Sequence, residues 1–474
     1  MVFARQPGLR AVPALHLGGR PQRRRRAQGD AEIVQVTDTI YALSTAPGRA
    51  GVAIVRASGP RAAAAIAAVT GEALPQPRRA VLRRFRNAAG GTIDAGLLLW
   101  FSGPESFTGE DVAEFHVHGG RAIVEAMLAA LAKVPGLRLA EPGEFTRRAV
   151  EHGKFDLTAA EGLGDLIAAE TEAQRRQALR QYDGALADLY EGWRARLIGQ
   201  AAWVEASIDF SDEELPDDVF AKARSAIASV AGEIARHLDD GGRGEIIREG
   251  LRIALIGPPN AGKSSLLNAL ARRDVAIVSE IPGTTRDIIE VKLDLGGYPV
   301  IVADTAGLRE TGDVIEIEGV RRALERAREA ELVVLVLDGQ AGARPALAPD
   351  VEARLCLTVW NKRDLAKHAT RDGEINISTK SGEGLDAFVA ALMAQVSGLA
   401  DTQRESPPLT RARHREALLE AQNALRRALA VPDDQPELMA EDVRLALRAL
   451  GRIMGRVDVE ELLDVIFRDF CIGK

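Results

Sequence analysis

GPPNAGKS, residues 257–264, follows the apolar run LRIALI and precedes SLLNALA. The eight residues fit G-x-x-x-x-G-K-[ST], with a strand expected before them and a helix after, which is the context a phosphate-binding loop requires. Glycine lets backbone N–H groups turn inward around phosphate oxygens. Lys263 is then placed to reach the β- and γ-phosphates, and the Ser264 hydroxyl to meet Mg²⁺. Further on, PVIVAD, ELVVLVLD, LCLTVWN and EINIS alternate with helical text up to about residue 398. Short β-branched runs alternating with helices predict a parallel sheet in an α/β unit.

The partners of a nucleotide site follow at fitting distances. Asp304, in DTAG at the end of a strand, lies 47 residues after Gly257, where an acid holds a metal-bound water. Gly307 is placed to donate its N–H to the γ-phosphate. NKRD (Asn361–Asp364) begins 57 residues after Asp304, again behind a strand. The Asp364 carboxylate accepts from the two N–H groups of guanine, which adenine does not offer together, and Ser378, Thr379 and Lys380 complete the base pocket. The expected GTP contacts are Asn260, Ala261, Gly262, Lys263, Ser264 and Ser265 in the loop, and Ser279, Glu280, Ile281, Pro282, Gly283, Thr284 and Thr285 in SEIPGTTRD. Asp304, Thr305, Ala306 and Gly307 follow, and then Asn361, Lys362, Asp364, Ser378, Thr379 and Lys380. The Mg²⁺ ligands expected are Ser264 and Thr285.

Two details narrow the chemistry. Many signalling GTPases place a water-orienting Gln just after DxxG; here the residue is Leu308, which cannot orient water, with Arg309 next to it. Asn260 offers a carbonyl oxygen inside the phosphate loop, and the segment around Gly283 is a source of backbone carbonyls. An oxygen cage of that kind suits a monovalent cation at the place of an arginine head.

The 474 residues allow two to four domains, and 46% hydrophobic residues allow each a core. Two cysteines, Cys356 and Cys471, build no disulfide framework, and a reducing, cytoplasmic setting is the simple reading. No apolar run of about 18 residues predicts a membrane span. The formal charge is −7; the first 30 residues hold seven Arg and one Asp, which leaves −13 for the remainder and gives no support to a broad nucleic-acid-binding face, so any RNA contact is a local patch or comes through a partner. Residues 1–35 read as a disordered basic head, with a transit peptide or an early start codon as alternatives. Residues 36–155 read as one α+β domain: VAIVRASG and GLLLWF as strands, RAAAAIAAVTG and RAIVEAMLAALAKV as helices. Residues 156–247 turn helical, with TAAE (Thr158–Glu161) as a capping box and Leu179, Tyr182, Leu186, Leu189, Trp193 and Leu197 as one stripe on a long helix. DDGGRGE (239–245) and DTQRESPP (401–408) read as joints around the α/β unit of 248–400. Helical text resumes in 401–474, with Val443, Leu447, Leu450 and Met454 on one stripe. The α/β unit is thus expected as an insertion between two halves of one helical domain.

The chain resembles the MnmE (TrmE) family of tRNA modification GTPases from about Val36 to Lys474. The resemblance is carried by APGRAGVAIVRASG, GPESFTGEDVAEFHVHGG, PGEFTRRAVEHGKFDL, NAGKSSLLNAL, PGTTRD, DTAGLRE, NKRD and the terminal FCIGK. It implies a multidomain α/β protein: an N-terminal folate-binding-like α+β domain, a helical domain in two halves, and an inserted Ras-like GTPase domain. It also implies a K⁺-activated homodimer that joins a FAD- and NADH-dependent MnmG (GidA) protein in a heterotetramer. Together they place an aminomethyl-type group on C5 of the wobble uridine of certain tRNAs. In that resemblance K⁺ is held by Asn260, Ser279, Ile281 and Thr284. Catalytic roles fall on Thr284, on Glu316, which helps place the attacking water (Glu318 being the alternative), and on Cys471.

The N-terminal domain is similar to the folate-binding fold of the glycine-cleavage T-protein. From the residues alone, Arg56 at the end of VAIV, Glu114 in VAEFHVH and Lys154 in EHGKFD are charges on a solvated surface. The resemblance makes them, with Lys474, contacts of a tetrahydrofolate derivative. His116 and His118 share a strand face, a metal pair without a third ligand at useful spacing. The ending FCIGK mimics a prenylation box, but Lys474 is the wrong last residue. The resemblance places the tail at the folate pocket, where Cys471 serves as acid, base, nucleophile or pocket wall. The competing reading is a ribosome-assembly or signalling switch, which needs neither the folate residues nor the CIGK end.

Overall fold

The computed structural model describes residues 38–209, 219–273, 275–277, 290–304, 325–340, 344–366, 373–400, 407–432 and 434–457, with 463, 466, 467, 470 and 473. The basic head, the segment from Ser279 to Thr285, residues Thr305, Ala306, Gly307, Leu308, Arg309, Glu316 and Glu318, and the terminal Cys471 and Lys474 lie outside the described residues.

The first unit runs β1 (Thr39–Leu43), β2 (Ala50–Ser58), α1 (Ala62–Thr70), β3 (Val81–Arg86), β4 (Thr92–Phe101), β5 (Val112–Gly119), α2 (Arg121–Leu131), β6 (Leu137–Leu139) and α3 (Glu144–Glu151). Its sheet has the order β3-β4-β5-β2-β1-β6, antiparallel except for the β1–β6 pair. Period-two alternation sends Ala113, Phe115 and Val117 of β5 into a core shared with Ile66 of α1 and Met127 and Leu131 of α2. The intervening Glu114, His116 and His118 lie on the opposite face.

Helical text then gives α4 (Leu157–Ala168), α5 (Glu172–Tyr182), α6 (Ala185–Asp209), α7 (Val219–Leu238) and α8 (Arg243–Glu249). The structure departs from two local expectations. Thr158 does not cap α4: the N-cap is Asp156, whose Oδ1 accepts from the Ala159 N–H at 2.8 Å, while Thr158 is buried inside the helix. The capping box belongs to α5, where Thr171 and Gln174 exchange side-chain to backbone bonds. The single long helix is also broken in two. Gly184 adopts φ 92°, a left-handed value that glycine takes without Cβ strain, so the chain turns between α5 and α6. Leu186, Trp193 and Leu197 stay in the core beyond the break, whereas Leu179 faces solvent.

The inserted unit holds β7 (Leu251–Ile256), α9 (Lys263–Ala271), β8 (Glu290–Leu295), β9 (Tyr298–Asp304), β10 (Leu332–Asp338), α10 (Pro349–Glu352), β11 (Leu355–Asn361), β12 (Glu374–Asn376) and α11 (Leu385–Ala400). The strand order is β12-β11-β10-β7-β9-β8, all parallel except the edge strand β8. The sheet order reverses direction at β7 and β10, and the crevice past their carboxyl ends is where an open α/β sheet takes its ligand.

After the insertion come α12 (Ala412–Ala430) and α13 (Pro436–Ile453). Leu186, Tyr190, Trp193, Ile227 and Ile234 of α6 and α7 share one core with Leu418, Leu425, Val443 and Leu450 of α12 and α13. The helical domain is therefore built from both halves of the chain. The glycine-rich segment before α8 is pinned: Asp240 accepts from the Gly242 N–H at 2.9 Å and the Leu409 N–H at 3.2 Å, and pairs with Arg415 at 2.9 Å. No helix among the described residues is long and apolar enough to cross a membrane.

Candidate functional site

The phosphate loop closes on itself and on the base loop. Gly257 comes so near β10 that a Cβ there would lie 2.0 Å from the Val336 carbonyl oxygen, so no other residue fits. Asn260 takes φ 59° and Gly262 φ 96°, the left-handed backbone from which anion-binding loops are built. Lys263 opens α9 and its ammonium donates to the carbonyls of Gly257 at 2.8 Å and Pro258 at 2.9 Å, spanning the loop. Ser264 and Ser265 occupy the first turn of α9. Asp304 ends β9 opposite Leu255 of β7 in the ladder, beside the root of the phosphate loop.

Asn361 was expected as a base contact, and the fold gives it a second task. Its Nδ2 donates to the Ala261 carbonyl at 2.9 Å and its Oδ1 accepts from the Thr379 N–H at 3.1 Å. One buried side chain thus ties the phosphate loop to the Ser378–Lys380 loop. The approach is close: a Cβ on Gly262 would lie 2.1 Å from Asn361 Nδ2. Asp364 is exposed, and its Oδ1 accepts from the buried Ser378 hydroxyl at 2.7 Å, which leaves the carboxylate held at one edge and open at the other. The structure therefore brings the described phosphate-loop, NKRD and STK residues together around one crevice.

A second polar cluster sits on the far side of the first sheet from its core. Arg56 and Glu114 are register partners on β2 and β5, joined at 2.9 and 3.0 Å. His116 contacts the other Glu114 oxygen at 3.3 Å, and the Arg56 guanidinium lies 5.4 Å from the Phe107 ring centre and 5.7 Å from that of Phe145. Burial pushes the Glu114 carboxyl up, but the His116 contact and the Arg56 charge outweigh it and hold it below the usual glutamate value. His118 turns instead to Asp94, at 3.0 Å. Lys154 does not join the ion pair; its ammonium donates to the Pro104 carbonyl at 2.7 Å. The link is Phe107, whose ring also meets Phe155, the neighbour of Lys154 in the chain, at 5.9 Å.

The C-terminal segment reaches the same sheet. Phe467 packs on Gly143 and Phe470 on Gly164. Gly473 lies against the end of β1, where an added Cβ would meet the Leu43 carbonyl oxygen at 2.0 Å. Leu43 pairs with Val55, and Ala42 with Arg56. Gly473 thus abuts Leu43, whose ladder partner Val55 precedes Arg56 in β2. The other cysteine, Cys356, is half-buried in β11, and burial pushes its thiol up to about 11, which makes it unreactive.

Sequence reasoning missed a third polar cluster. Arg148 of α3, almost fully buried, meets Asp38 at 2.9 Å, Glu110 at 3.1 Å and Glu144 at 2.8 Å. Its partners reach back 110 residues to Asp38, and the one local signal was the Glu144–Arg148 spacing of four.

A family model described as GTP-binding protein TrmE N-terminus matches residues 39–154, and one described as MnmE helical domain matches residues 157–471. Curated relatives named tRNA modification GTPase MnmE match the chain. The one from Parvibaculum lavamentivorans is 59% identical over 444 residues, spanning 92% of this chain and 100% of the relative. That from Rhodospirillum rubrum is 55% identical over 457 residues, and that from Maricaulis maris 54% over 440, each spanning 92% of this chain and 99% of the relative. With both family models and relatives spanning nearly its whole length, the chain belongs to the MnmE (TrmE) family of tRNA modification GTPases.

Proposed function

We propose that this chain is a K⁺-activated GTPase that splits GTP into GDP and phosphate and couples that reaction to modification of the wobble uridine of certain tRNAs. It works as a homodimer in the cytoplasm, with a FAD- and NADH-dependent MnmG (GidA) partner in a heterotetramer, and the product carries an aminomethyl or carboxymethylaminomethyl group on C5. The observation that carries the reading is that one chain holds both a guanine-type nucleotide crevice and the Arg56–Glu114 cluster, with Gly473 of the CIGK end against Leu43 of the same sheet.

In the crevice, backbone N–H groups of the loop and the Lys263 ammonium orient the phosphates, and Asp364 with Ser378 selects guanine. Ser264 and Thr285 are the residues that would hold Mg²⁺, with Asp304 on a metal-bound water. Asn260, Ser279, Ile281 and Thr284 would hold K⁺; Asn260 is exposed at a left-handed turn of the loop, which fits that assignment. When bound, the two ions supply positive charge to the oxygens on which negative charge gathers as water attacks the γ-phosphorus and the bond to the β-phosphate oxygen breaks. Glu316 places that water. At the second cluster Arg56, Glu114, Lys154 and Lys474 would bind a tetrahydrofolate derivative, and the donor set fits a ligand with a carboxylate tail and a ring that donates hydrogen bonds. Cys471 acts on the uridine or lines its pocket.

The test is GTP turnover with K⁺ in place of Na⁺. Leu308 cannot orient water, so the rate should rise strongly in K⁺, by up to about 10³ by analogy with arginine fingers. Asn260→Ala should remove the response. Equal rates in both salts would overturn the K⁺ assignment.

A further inference from the structure

The guanine-reading loop stands on a residue that no motif marks. Among the described residues only Arg78, Asn260 and Lys362 take positive φ without being glycine. Lys362, at φ 64°, is the second residue of NKRD, and the turn it opens carries Asp364: the N–H groups of Leu365 and Ala366 both donate to the Lys362 carbonyl. A left-handed lysine is strained and persists only where its surroundings hold it. What holds its side chain is Asp338, the last residue of β10. The Lys362 ammonium lies 2.7 Å from Asp338 Oδ2, while Oδ1 of the same carboxylate accepts from the Gln340 N–H at 3.0 Å. The backbone repeats the attachment. Asp338 is the ladder partner of Asn361, and the Gly339 N–H donates to the Asn361 carbonyl at 2.7 Å. Gly339 itself has no room for a side chain, since a Cβ would lie 2.6 Å from the Asn361 carbonyl oxygen and 3.1 Å from that of Ala366. The end of β10 is thus pressed against both ends of the NKRD turn.

We infer that Asp338 is a positioning residue for guanine recognition: by holding the Lys362 ammonium it keeps the left-handed turn that presents the Asp364 carboxylate to the base. The inference rests on the reading of Asp364 as the guanine contact. The Asp338 carboxylate is about one-third exposed, so its loss acts on the geometry of the turn and not on the core.

The full-length chain and its variants are titrated with a fluorescent GDP analogue, against which GDP and IDP compete. IDP lacks the exocyclic amine, so the GDP-to-IDP affinity ratio reports how well Asp364 is aimed. Asp338→Ala is expected to weaken GDP about fivefold, the scale of one partly exposed ion pair, and to narrow the ratio with little change in unfolding midpoint. In a Lys362→Ala background the same substitution should change neither quantity further. Should Asp338→Ala fold poorly, Asp338→Asn, which keeps an acceptor at the same place, is expected to give a smaller effect of the same sign. Asp338→Ala that binds GDP and discriminates IDP like the parent, or that costs the same factor in the Lys362→Ala background, would overturn the inference. Asp364→Asn run in parallel separates the two ideas. If it retains the parent's preference for GDP, the guanine reading itself fails; if it loses that preference while Asp338→Ala does not, only the brace fails.

Discussion

The nucleotide crevice and the Arg56–Glu114 cluster are built on opposite plans. The crevice collects loops at the carboxyl end of one parallel sheet, and each loop carries a short, recognisable string: GPPNAGKS, NKRD, STK. The cluster lies on the face of an antiparallel sheet and gathers single residues from β2, β5 and the loop of Phe107. In the first plan the chemistry sits in local backbone geometry, so strict residue types recur at fixed spacing. In the second it sits in side chains whose neighbours are set by register, and any one of them reads as an ordinary surface charge.

That comparison can be broken most sharply at the base loop. Asp364→Asn reverses the hydrogen-bond polarity that the carboxylate offers. It is expected to lower GTP affinity by on the order of 10⁴ and to gain xanthosine triphosphate, since a site built to pair a polar group rejects one it cannot pair. Competition binding checks it, and retained GTP preference would remove Asp364 from the base site.

The next largest effect concerns the helical domain that carries the insertion. Glu161, almost fully buried in α4, meets Arg413 at 2.6 Å and His414 at 2.9 Å across some 250 residues of chain. Burial raises its carboxyl, yet the Arg413 charge and the hydrogen bonds from His414 and Arg413 prevail and keep it ionised. Glu161→Gln leaves the partly buried Arg413 short of its counter-charge and is expected to cost about 3 kcal/mol in urea unfolding. A loss below about 1 kcal/mol would show that the two halves are held by apolar packing alone.

An effect of similar size is expected from pH. His237, buried beside Tyr190 at 3.2 Å, has its imidazole pushed down to about 4, chiefly by burial. Between pH 6.5 and 4 the unfolded chain binds a proton there that the folded chain does not, so stability is complete above pH 6.5 and falls on acidification. The fall amounts to about 3 kcal/mol over that window, at 1.36 kcal/mol per unit. His414, also held down by burial, adds in the same direction, so the contribution of His237 is the difference in slope between the parent and His237→Gln. Identical slopes would contradict it.

These clusters also mark what could be read beforehand. The inserted α/β unit, the crevice and the core stripe Val443–Leu450 were legible because period and motif are local. The break at Gly184 was not, because Leu179 and Leu186 keep helical spacing across it and only a left-handed φ separates the helices. Nor was the brace at Asp338, an acid at a strand end like many others, whose meaning comes from the position of Lys362 in three dimensions. The same holds for Lys154: its spacing says nothing of Pro104, fifty residues upstream, to which its ammonium donates.

The claim that one chain carries two separate ligand sites is tested most directly by calorimetric titration of the full-length protein with 5-formyltetrahydrofolate, with and without saturating GDP. Binding of both ligands is expected, with Arg56→Ala losing the folate at least tenfold while GDP affinity stays at the parent value, because removing Arg56 leaves the half-buried Glu114 without its partner. No folate binding by the parent, or loss of GDP and folate together in Arg56→Ala, would contradict it.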